Sequence, residues 1–184
     1  MKEPADKIIE LIQEHSVHVF AEIGVGKFKT GKAVLTHPVT SKLIKEYWAI
    51  DPYQTMPQYA KKTYDPYMVK MSLMSQFEWN ALYCRVCKHL RWFPQLKLLR
   101  LSSETAASVF KPNHAYFDMV FIDSEHTYFA LQKDIAVWTP LIKPYGILSG
   151  HDYGGIYWEV TQAVDHLIKD PVIYPDDHIW MTYI

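Results

Sequence analysis

Two apolar runs that each end in an aspartate constrain the fold of this chain more than any other feature. The first run ends at Asp123 in FDMVFIDSEHTY, and the second ends at Asp152 in GILSGHDY. The segment between them, ALQKDIAVWTPLIKP, has the apolar spacing of a helix. This pattern predicts a strand, a crossover helix and a second, parallel strand, with an acid at the carboxyl end of each strand. Because ligands of open parallel sheets bind at that edge, the pattern also predicts a negatively charged site.

The rest of the chain continues the alternation of strands and helices. Apolar runs predict three earlier strands and a terminal pair: Val17 to Gly26, Glu46 to Asp51, Leu96 to Leu101, and the two runs of PVIYPDDHIWMTYI. Pro66 is expected to begin one long helix that reaches about Phe93. We therefore expect a single α/β domain over residues 1–184, with a Rossmann-like, doubly wound, mostly parallel seven-stranded sheet. Helices would cover both faces, and the C-terminal strand would be antiparallel.

Composition narrows the classes of function. The 184 residues carry a formal net charge of -1, which gives no support for a nucleic-acid or membrane-surface protein. No apolar run approaches the roughly 20 residues of a membrane span. Residues 1–16 are expected to form an amphipathic helix, not a signal peptide. Cys84 and Cys87 lie in a helical segment without a second cysteine pair, so a metal or redox role is not favoured. We expect a cytoplasmic protein, and homo-oligomer formation stays open.

Residues 53–67 lie in a stretch that is rich in Pro, Tyr and Gln and has no clear period. They follow the end of a predicted strand, at the edge where ligands bind. We therefore interpret them as a lid loop over the site.

A glycine turn ends the first predicted strand, in the sequence from Glu22 through Gly24 to Gly26. Glycine lets the backbone turn sharply and approach a ligand closely. The dinucleotide fingerprint GxGxxG would need a glycine where this chain has Lys29. The carboxylate of Glu22 suits a ligand with an amino group or a positive charge. Asp51, at the end of the second strand, can accept hydrogen bonds from both hydroxyls of a ribose.

Five motifs, EIGVG, AIDPY, SSETAA, FIDSEHTY and LSGHDYGG, occur in this order along the chain. In this combination the chain resembles the class I S-adenosylmethionine-dependent methyltransferases, and more narrowly the small-molecule group with FIDxxHxY and GHDY motifs. The resemblance covers nearly the whole chain, from Val17 to Ile184. It implies S-adenosylmethionine as cofactor and a small-molecule acceptor, with methylation at oxygen favoured over nitrogen.

The resemblance also assigns residues to the cofactor. Those implied to bind it are Glu22, Gly24, Gly26, Asp51, Ser103 and Asp123. The first three would hold the methionine end, Asp51 the ribose, and Ser103 the adenine. Asp123 would lie, with His126, where the pocket meets the transferred methyl group.

Two positions depart from the pattern of that family. Phe28 stands where the third glycine of GxGxG is expected, so the loop must be shaped differently or bind the cofactor more weakly. Tyr145 replaces the first of two glycines that usually precede the fifth strand, a change that lies away from the site.

Methyl transfer to a hydroxyl group needs a base, or a metal that lowers the pKa of the hydroxyl. His126, after the fourth predicted strand, and His151, at the end of the fifth, are the candidate catalytic bases. Asp123 and Asp152 are a candidate Mg²⁺ site. Related metal-dependent enzymes have Asp-Asp or Asp-Asn where this chain has His151 followed by Asp152, which suits a hard cation less well.

Two other functions stay open at this level. An NAD(P)-dependent oxidoreductase could use a similar sheet, although the missing GxGxxG and the presence of Glu22 count against it. A degenerate, non-catalytic methyltransferase fold that serves as a binding protein would be consistent with Phe28 in the glycine loop. Nucleic acid is not expected as a partner, because the one basic cluster, KHLRWFPQLK, is small.

Overall fold

A computed structural model of the protein describes residues 4–56, 66–110 and 114–184. The strands are β1 (Val19–Ile23), β2 (Glu46–Ile50), β3 (Leu96–Leu99), β4 (Phe117–Ile122), β5 (Ile142–Gly150), β6 (Val172–Tyr174) and β7 (Ile179–Tyr183). The helices are α1 (Pro4–Glu14), α2 (Lys29–Thr36), α3 (Thr40–Leu43), α4 (Pro66–Ser72), α5 (Gln76–Cys87), α6 (Ser103–Val109), α7 (Tyr128–Trp138) and α8 (Trp158–Leu167). Within these ranges, no helix combines the length and the apolar character needed to cross a membrane.

The seven strands form one mixed sheet in the order β3-β2-β1-β4-β5-β7-β6. Strands β1 to β5 pair in parallel, whereas β7 is antiparallel to both β5 and β6. This confirms the expected Rossmann-like, doubly wound sheet with its antiparallel C-terminal strand. The carboxyl ends of β1 to β6 therefore lie at one edge. The order of the strands changes direction between β1 and β4, which opens a crevice for a ligand at that edge.

Two apolar cores enclose the sheet, one on each face. In β4, Met119 and Phe121 belong to one core, and Val120 and Ile122 belong to the other, as the period of two along a strand requires. Side chains of α1, α2 and α5 fill the first core, and those of α6, α7 and α8 fill the second. Because the central strands are buried on both faces, they read as continuous apolar runs in the sequence.

The amphipathic N-terminal helix forms as expected, between Pro4 and Glu14. Its apolar face is buried, with Ile8, Leu11 and Ile12 in the first core. The first three residues of the expected helix lie outside the described residues.

The long helix expected from Pro66 to about Phe93 is wrong, because the chain forms two helices in that range. α4 ends at Ser72, and Ser75 is the N-cap of α5. The hydroxyl of Ser75 accepts a hydrogen bond from the N–H of Glu78, and the carboxylate of Glu78 accepts one from the N–H of Ser75 at 2.8 Å. This capping box satisfies N–H groups at the helix start and so favours a break at this point.

The expected lid loop is described only at its start, since residues 57–65 lie outside the described residues. Residues 53–56 form neither a helix nor a strand. Tyr53 is fully buried, with its ring centre 6.4 Å from that of Trp79. The chain therefore leaves β2 through a segment that is anchored in the first core.

Candidate active site

A cavity of about 1510 Å³ opens at the carboxyl edge of the sheet. Its volume exceeds the roughly 300–1,000 Å³ that is usual for a single ligand. All the candidate residues from the sequence line it: Glu22, Gly24, Gly26, Asp51, Ser103, Asp123, His126, His151 and Asp152. The fold therefore brings the two sets of candidates, for cofactor and for catalysis, to one cavity with room for two molecules.

The turn between β1 and α2 requires glycine at Gly24 for two reasons. The φ angle of Gly24 is 89°, in the region that favours glycine, and a Cβ atom there would lie 2.0 Å from the carbonyl oxygen of Asp123. The N–H of Gly24 also donates to the carbonyl of Ile50 at 2.9 Å. The turn is therefore held between the ends of β2 and β4, and a side chain at this position would push them apart.

Phe28 keeps the shape of the glycine loop although it is not glycine. Its φ angle is 61°, so its backbone adopts the left-handed conformation, and its ring is buried in the first core. The ring packs against His89, with 5.1 Å between ring centres. A Cβ atom on Gly31 would lie 2.1 Å from this ring, so the glycine at position 31 makes the space for it. The backbone at Phe28 therefore has a conformation that glycine also adopts readily, and a weaker hold on the cofactor stays a prediction.

The carboxylate of Asp51 holds the glycine turn from the neighbouring strand. Its Oδ2 accepts hydrogen bonds from the N–H groups of Val25 (3.0 Å) and Gly26 (2.9 Å), and its Oδ1 accepts one from Tyr53 (2.7 Å). Burial raises the pKa of Asp51, although these hydrogen bonds act in the opposite direction. A carboxylate oxygen can accept about two hydrogen bonds, so Oδ1 keeps capacity for a ligand hydroxyl. Asp51 can therefore shape the loop and contact a ligand at the same time.

Glu22 lies beneath the glycine turn and is 2% exposed. The hydroxyl of Tyr47 donates a hydrogen bond to its Oε2 at 2.8 Å. Burial, together with the charges of Asp123 and Asp51, raises the pKa of Glu22 to about 8, even though the bond from Tyr47 lowers it. Three acids therefore surround this end of the cavity, and a positively charged ligand group would be stabilised there.

Ser103 is held by a hydrogen-bond network that includes a buried acid of α7. The Ser103 hydroxyl donates to Asp134 Oδ1 and accepts a bond from Trp138 Nε1 at 2.8 Å. The hydroxyl of Ser124 donates to the other oxygen of Asp134 at 2.6 Å. Since a serine hydroxyl has one hydrogen to donate, Ser103 can offer a ligand only an acceptor through this group. The network ties the loops after β3 and β4 to α7.

Two aspartates and two histidines form a charged cluster at the ends of β4 and β5. His126 Nε2 lies 2.8 Å from Asp152 Oδ2 and 3.6 Å from Asp123 Oδ1. His151 Nδ1 lies 3.2 Å from Asp152 Oδ1 and 3.7 Å from Asp123 Oδ1. The ring of His126 stacks on that of Tyr157, with 4.1 Å between ring centres and 21° between planes. The charged cluster therefore forms one wall of the cavity, supported by an aromatic ring.

Opposite charges within the charged cluster shift the pKa of every member. Burial lowers the pKa of both histidines, but the two carboxylates outweigh it and raise the pKa of His126 to about 9 and that of His151 to about 10. Burial acts to raise the pKa of Asp123 and Asp152, yet the histidines hold both below their usual value. Near neutral pH the cluster therefore contains two imidazolium cations and two carboxylates, and neither histidine is a ready proton acceptor.

Three donor atoms of the charged cluster also converge as metal ligands do. One atom each of Asp123, His126 and Asp152 lie within 4.8 Å of one another, so a single cation could contact all three. Two carboxylates and one imidazole suit a transition-metal ion such as Mn²⁺ better than Mg²⁺, which prefers oxygen ligands. The donor set therefore fits a divalent cation, with a nitrogen ligand that was not part of the metal site expected from the sequence.

The cavity lining includes residues that the sequence did not point to, among them Asp134, Tyr157, Asp177 and His178. Asp134 lies in the middle of α7, Tyr157 precedes α8, and the last two belong to the turn between β6 and β7. The PDDH sequence indicates a turn, but only the pairing of β7 with β5 shows that this turn reaches the site.

The sequence profile of a family described as methyltransferase domain (Methyltransf_24) matches residues 21–153. The matched range begins within β1 and ends just after the charged cluster, so it contains every candidate residue from the sequence. No curated protein sequence matches the chain.

Solved structures with a similar fold include three methyltransferases. A proposed caffeoyl-CoA O-methyltransferase from Staphylococcus aureus has a TM-score of 0.64 at 16% identity, covering 97% of this chain and 81% of that one. The S-adenosylhomocysteine-bound methyltransferase PaMTH1 of Podospora anserina has a TM-score of 0.61 at 14% identity, with 98% and 78% covered. The O-methyltransferase NovP has a TM-score of 0.60 at 16% identity, with 97% and 77% covered. Identities this low show a shared fold alone.

Proposed function

We propose that this chain, which belongs to the methyltransferase domain family, transfers a methyl group to an oxygen atom of a small molecule. The proposal starts from its activity as an S-adenosylmethionine-dependent methyltransferase. The observation that carries the proposal is the division of one cavity into two ends. Glu22 and Asp51 lie at the glycine turn, and the charged cluster of two aspartates and two histidines lies at the ends of β4 and β5. The first end suits the cofactor, and the second suits a hydroxyl group that must lose its proton.

The cofactor is proposed to lie along the ends of β1, β2 and β3. Glu22 and the glycine turn would receive the methionine end, whose ammonium and neighbouring sulfonium are stabilised by buried acids. The free acceptor capacity at Asp51 Oδ1 would receive a ribose hydroxyl. The adenine would lie at Ser103, where Asp134 fixes the hydroxyl. This order leaves the transferred methyl group facing Asp123 and the charged cluster.

The protein mainly has to position the acceptor and stabilise charge, because the methyl group on the sulfonium is already activated for transfer. An oxygen lone pair of the acceptor attacks the methyl carbon, and the electron pair of the C–S bond remains on sulfur as S-adenosylhomocysteine forms. A hydroxyl that lies closer to the imidazolium groups of His126 and His151 than to Asp123 and Asp152 would have a lowered pKa, because the nearer positive charge stabilises the oxyanion. In this proposal the histidines bind and polarise the acceptor oxygen, and the proton passes to solvent.

A divalent cation at the same end of the cavity would be an alternative to the imidazolium of His126, because a histidine must lose its proton to bind a metal. Asp123, His126 and Asp152 are the residues that would hold it. Such an ion supplies a Lewis acid that lowers the pKa of a bound hydroxyl. The imidazole of His126 favours Mn²⁺ over Mg²⁺ among the ions that could bind.

The two alternative functions lose their support. The oxidoreductase would need a GxGxxG turn, and the third position of that pattern is Lys29. The non-catalytic alternative depended on Phe28, whose ring is buried away from the cavity while its backbone keeps the left-handed conformation.

Calorimetric titration with S-adenosylhomocysteine and with NADH tests the cofactor. We expect saturable binding of S-adenosylhomocysteine with one site per chain, and no binding of NADH. Incubation with methyl-labelled S-adenosylmethionine and either 4-ethylphenol or 4-ethylaniline then tests the acceptor atom. Label on the phenol supports oxygen as the acceptor, whereas label on the aniline alone would refute it.

A further inference from the structure

The turn between β6 and β7 lies at the same edge of the sheet as the cavity, because β6 runs in the direction of β1 to β5. It is fastened to the residue that follows the charged cluster. The N–H of Tyr153 donates to the carbonyl of His178 at 3.0 Å, and Nδ1 of His178 lies 3.1 Å from the carbonyl oxygen of Tyr153. The strand order places this turn beyond β5, on the side of the charged cluster opposite to the glycine turn. A molecule that approaches the cluster from that side therefore passes the turn.

Asp177, within this turn, is a buried acid with an unused oxygen. It is 7% exposed and lines the cavity, and within the described part of the chain its Oδ1 has no hydrogen-bond partner. An unpaired buried oxygen of this kind lowers stability, because folding removes the water that would otherwise bind it. The nearby ammonium of Lys7 supplies positive charge, but it is hydrogen-bonded to Glu10 and lies 4.5 Å from the centre of the Tyr174 ring. A ligand that donates a hydrogen bond would supply the missing partner.

Apolar and aromatic side chains line the cavity on the same side of the sheet. Met71 and Trp79 belong to the first core together with Ile179, the residue that follows the turn. Trp79 is 3% exposed, and its Nε1 also has no hydrogen-bond partner among the described residues. The cavity therefore has an apolar lining at these residues, and the unpaired atoms of Trp79 and Asp177 lie covered just behind its surface.

We propose that Asp177 recognises the methyl acceptor by accepting a hydrogen bond from a hydroxyl or ammonium group remote from the methylated oxygen. The inference rests on the proposed function, because it takes this end of the cavity as the acceptor site. The unpaired oxygen is covered in the structure, and a partial rotation about the broad χ2 torsion of aspartate would bring it to the cavity surface. Met71 and Trp79, which line the same cavity, add apolar surface that suits an aromatic ring. The acceptor class is therefore a phenol whose side chain ends in a hydrogen-bond donor.

Three phenols of similar shape test whether a hydrogen-bond donor at the end of the side chain is recognised. Tyramine ends in an ammonium group, tyrosol in a hydroxyl group, and 4-ethylphenol in a methyl group. Their binding to protein saturated with S-adenosylhomocysteine is measured by calorimetry. We expect tyramine, tyrosol or both to bind about 10-fold to 100-fold more tightly than 4-ethylphenol, which is the value of one hydrogen bond to a charged group. A preference for tyramine alone identifies an ammonium as the recognised group, and a preference for tyrosol alone identifies a hydroxyl.

Two substitutions in the same turn provide the comparison. Asp177→Asn should reduce the affinity of the favoured phenol to that of 4-ethylphenol and leave the binding of S-adenosylhomocysteine unchanged. Asp176→Asn is the matched control, because Asp176 is exposed, and it should change neither. Asp177→Ala should melt at or above the wild-type temperature, because it removes an unpaired buried oxygen. An acid with a merely structural role would instead lose stability in this variant.

Equal affinities for the three phenols, or no saturable binding of any of them, would overturn the inference. An equal effect of the Asp176 and Asp177 substitutions would do the same. Binding of S-adenosylhomocysteine separates this failure from a failure of the proposed function. If the wild-type protein binds S-adenosylhomocysteine without distinguishing the phenols, only the role of Asp177 is wrong, whereas absence of that binding refutes the cofactor site itself.

Discussion

At the scale of single residues, Glu22 is the acid whose charge a bound cofactor should change. Burial is the main reason that its pKa is raised to about 8, so it is largely protonated at about pH 6. A positively charged ligand nearby favours the ionised carboxylate. The affinity for S-adenosylhomocysteine should therefore rise between about pH 6 and pH 8, by at most about tenfold per pH unit, and then level off. Calorimetry across this range measures the slope.

The Glu22→Gln variant is the control for this titration, and it should remove most of the slope. In the protein without ligand, the stability contributed by Glu22 changes with pH in the opposite direction to the ligand affinity. Because the folded pKa of about 8 exceeds the ordinary value of 4.5, the contribution to stability is greatest below pH 4.5 and is lost as the pH rises toward 8. The melting temperature of the wild type should fall relative to that of the variant over this range. Parallel curves for the two proteins would contradict the assignment of the raised pKa to Glu22.

The three converging donor atoms of the charged cluster lead us to predict that a metal ion stabilises the protein. After treatment with a chelator, Mn²⁺ should raise the melting temperature more than Mg²⁺ does, because one of the three converging donors is an imidazole. Asp152→Asn should reduce the shift, while Asp176→Asn should preserve it. If neither ion changes the melting temperature of the wild type, the three donors do not form a metal site.

The residues that the sequence could predict share one property, which is their position after a strand. Strand ends are visible in a sequence because an apolar run stops at a glycine or an acid, and parallel strands bring these ends to one edge. Asp134 lacks this signal because it lies inside α7, and Asp177 follows β6, an edge strand whose place in the sheet the sequence did not predict. Asp134 reaches the site because Ser103, 31 positions away, donates to it, and that contact has no local pattern. A helix interior and a terminal turn become part of the site only through the tertiary fold.

At the scale of structural elements, the glycine turn makes a prediction with an internal control. Gly24 and Gly26 both have positive φ, but only at Gly24 would a Cβ atom meet the backbone of the residues that follow β4, and at Gly26 it would meet nothing within 4 Å. Gly24→Ala should therefore lower the free energy of unfolding by about 3 kcal/mol or more, and Gly26→Ala by about 1 kcal/mol. Chemical denaturation measures both values, and equal losses would contradict the close approach of the turn to the end of β4.

Elements whose boundaries depend on local signals were predicted best. β2, β4 and β5 stop within two residues of the acid that ends each predicted run, because that acid marks the end of the apolar segment. The helix over 66–93 was not predicted correctly, since apolar spacing runs across the capping box of Ser75 and Glu78. β5 begins at Ile142, before the run GILSGHDY that predicts it, and its pairing with β4 is irregular in that early part. Such irregular pairing is set by the partner strand and has no signature in the segment itself.

The two positions that depart from the family pattern also act at this scale. Phe28 has a φ of 61° and Tyr145 a φ of 66°, so both keep a backbone conformation that glycine adopts readily. The ring of Phe28 is buried in the first core, and the side chain of Tyr145 is exposed. Both turns therefore have a left-handed backbone conformation at a position where the family pattern has glycine.

At the scale of the whole molecule, the strand order divides the site. Strands β1, β2 and β3 on one side supply the glycine turn, Asp51 and Ser103, whereas β4 and β5 supply the charged cluster. The β6–β7 turn continues this edge beyond the cluster. We propose that the cofactor lies over the first group of strands and the acceptor over the second, with the methyl group between them.

A crystal structure with S-adenosylhomocysteine tests this division of the cavity most directly. We expect the ribose to lie on Asp51, the amino group to lie near Glu22, and the sulfur to face Asp123 at the charged cluster. The adenine would lie beside Ser103. A ligand whose ribose lies away from Asp51, or whose sulfur points away from the charged cluster, would contradict this placement of cofactor and acceptor.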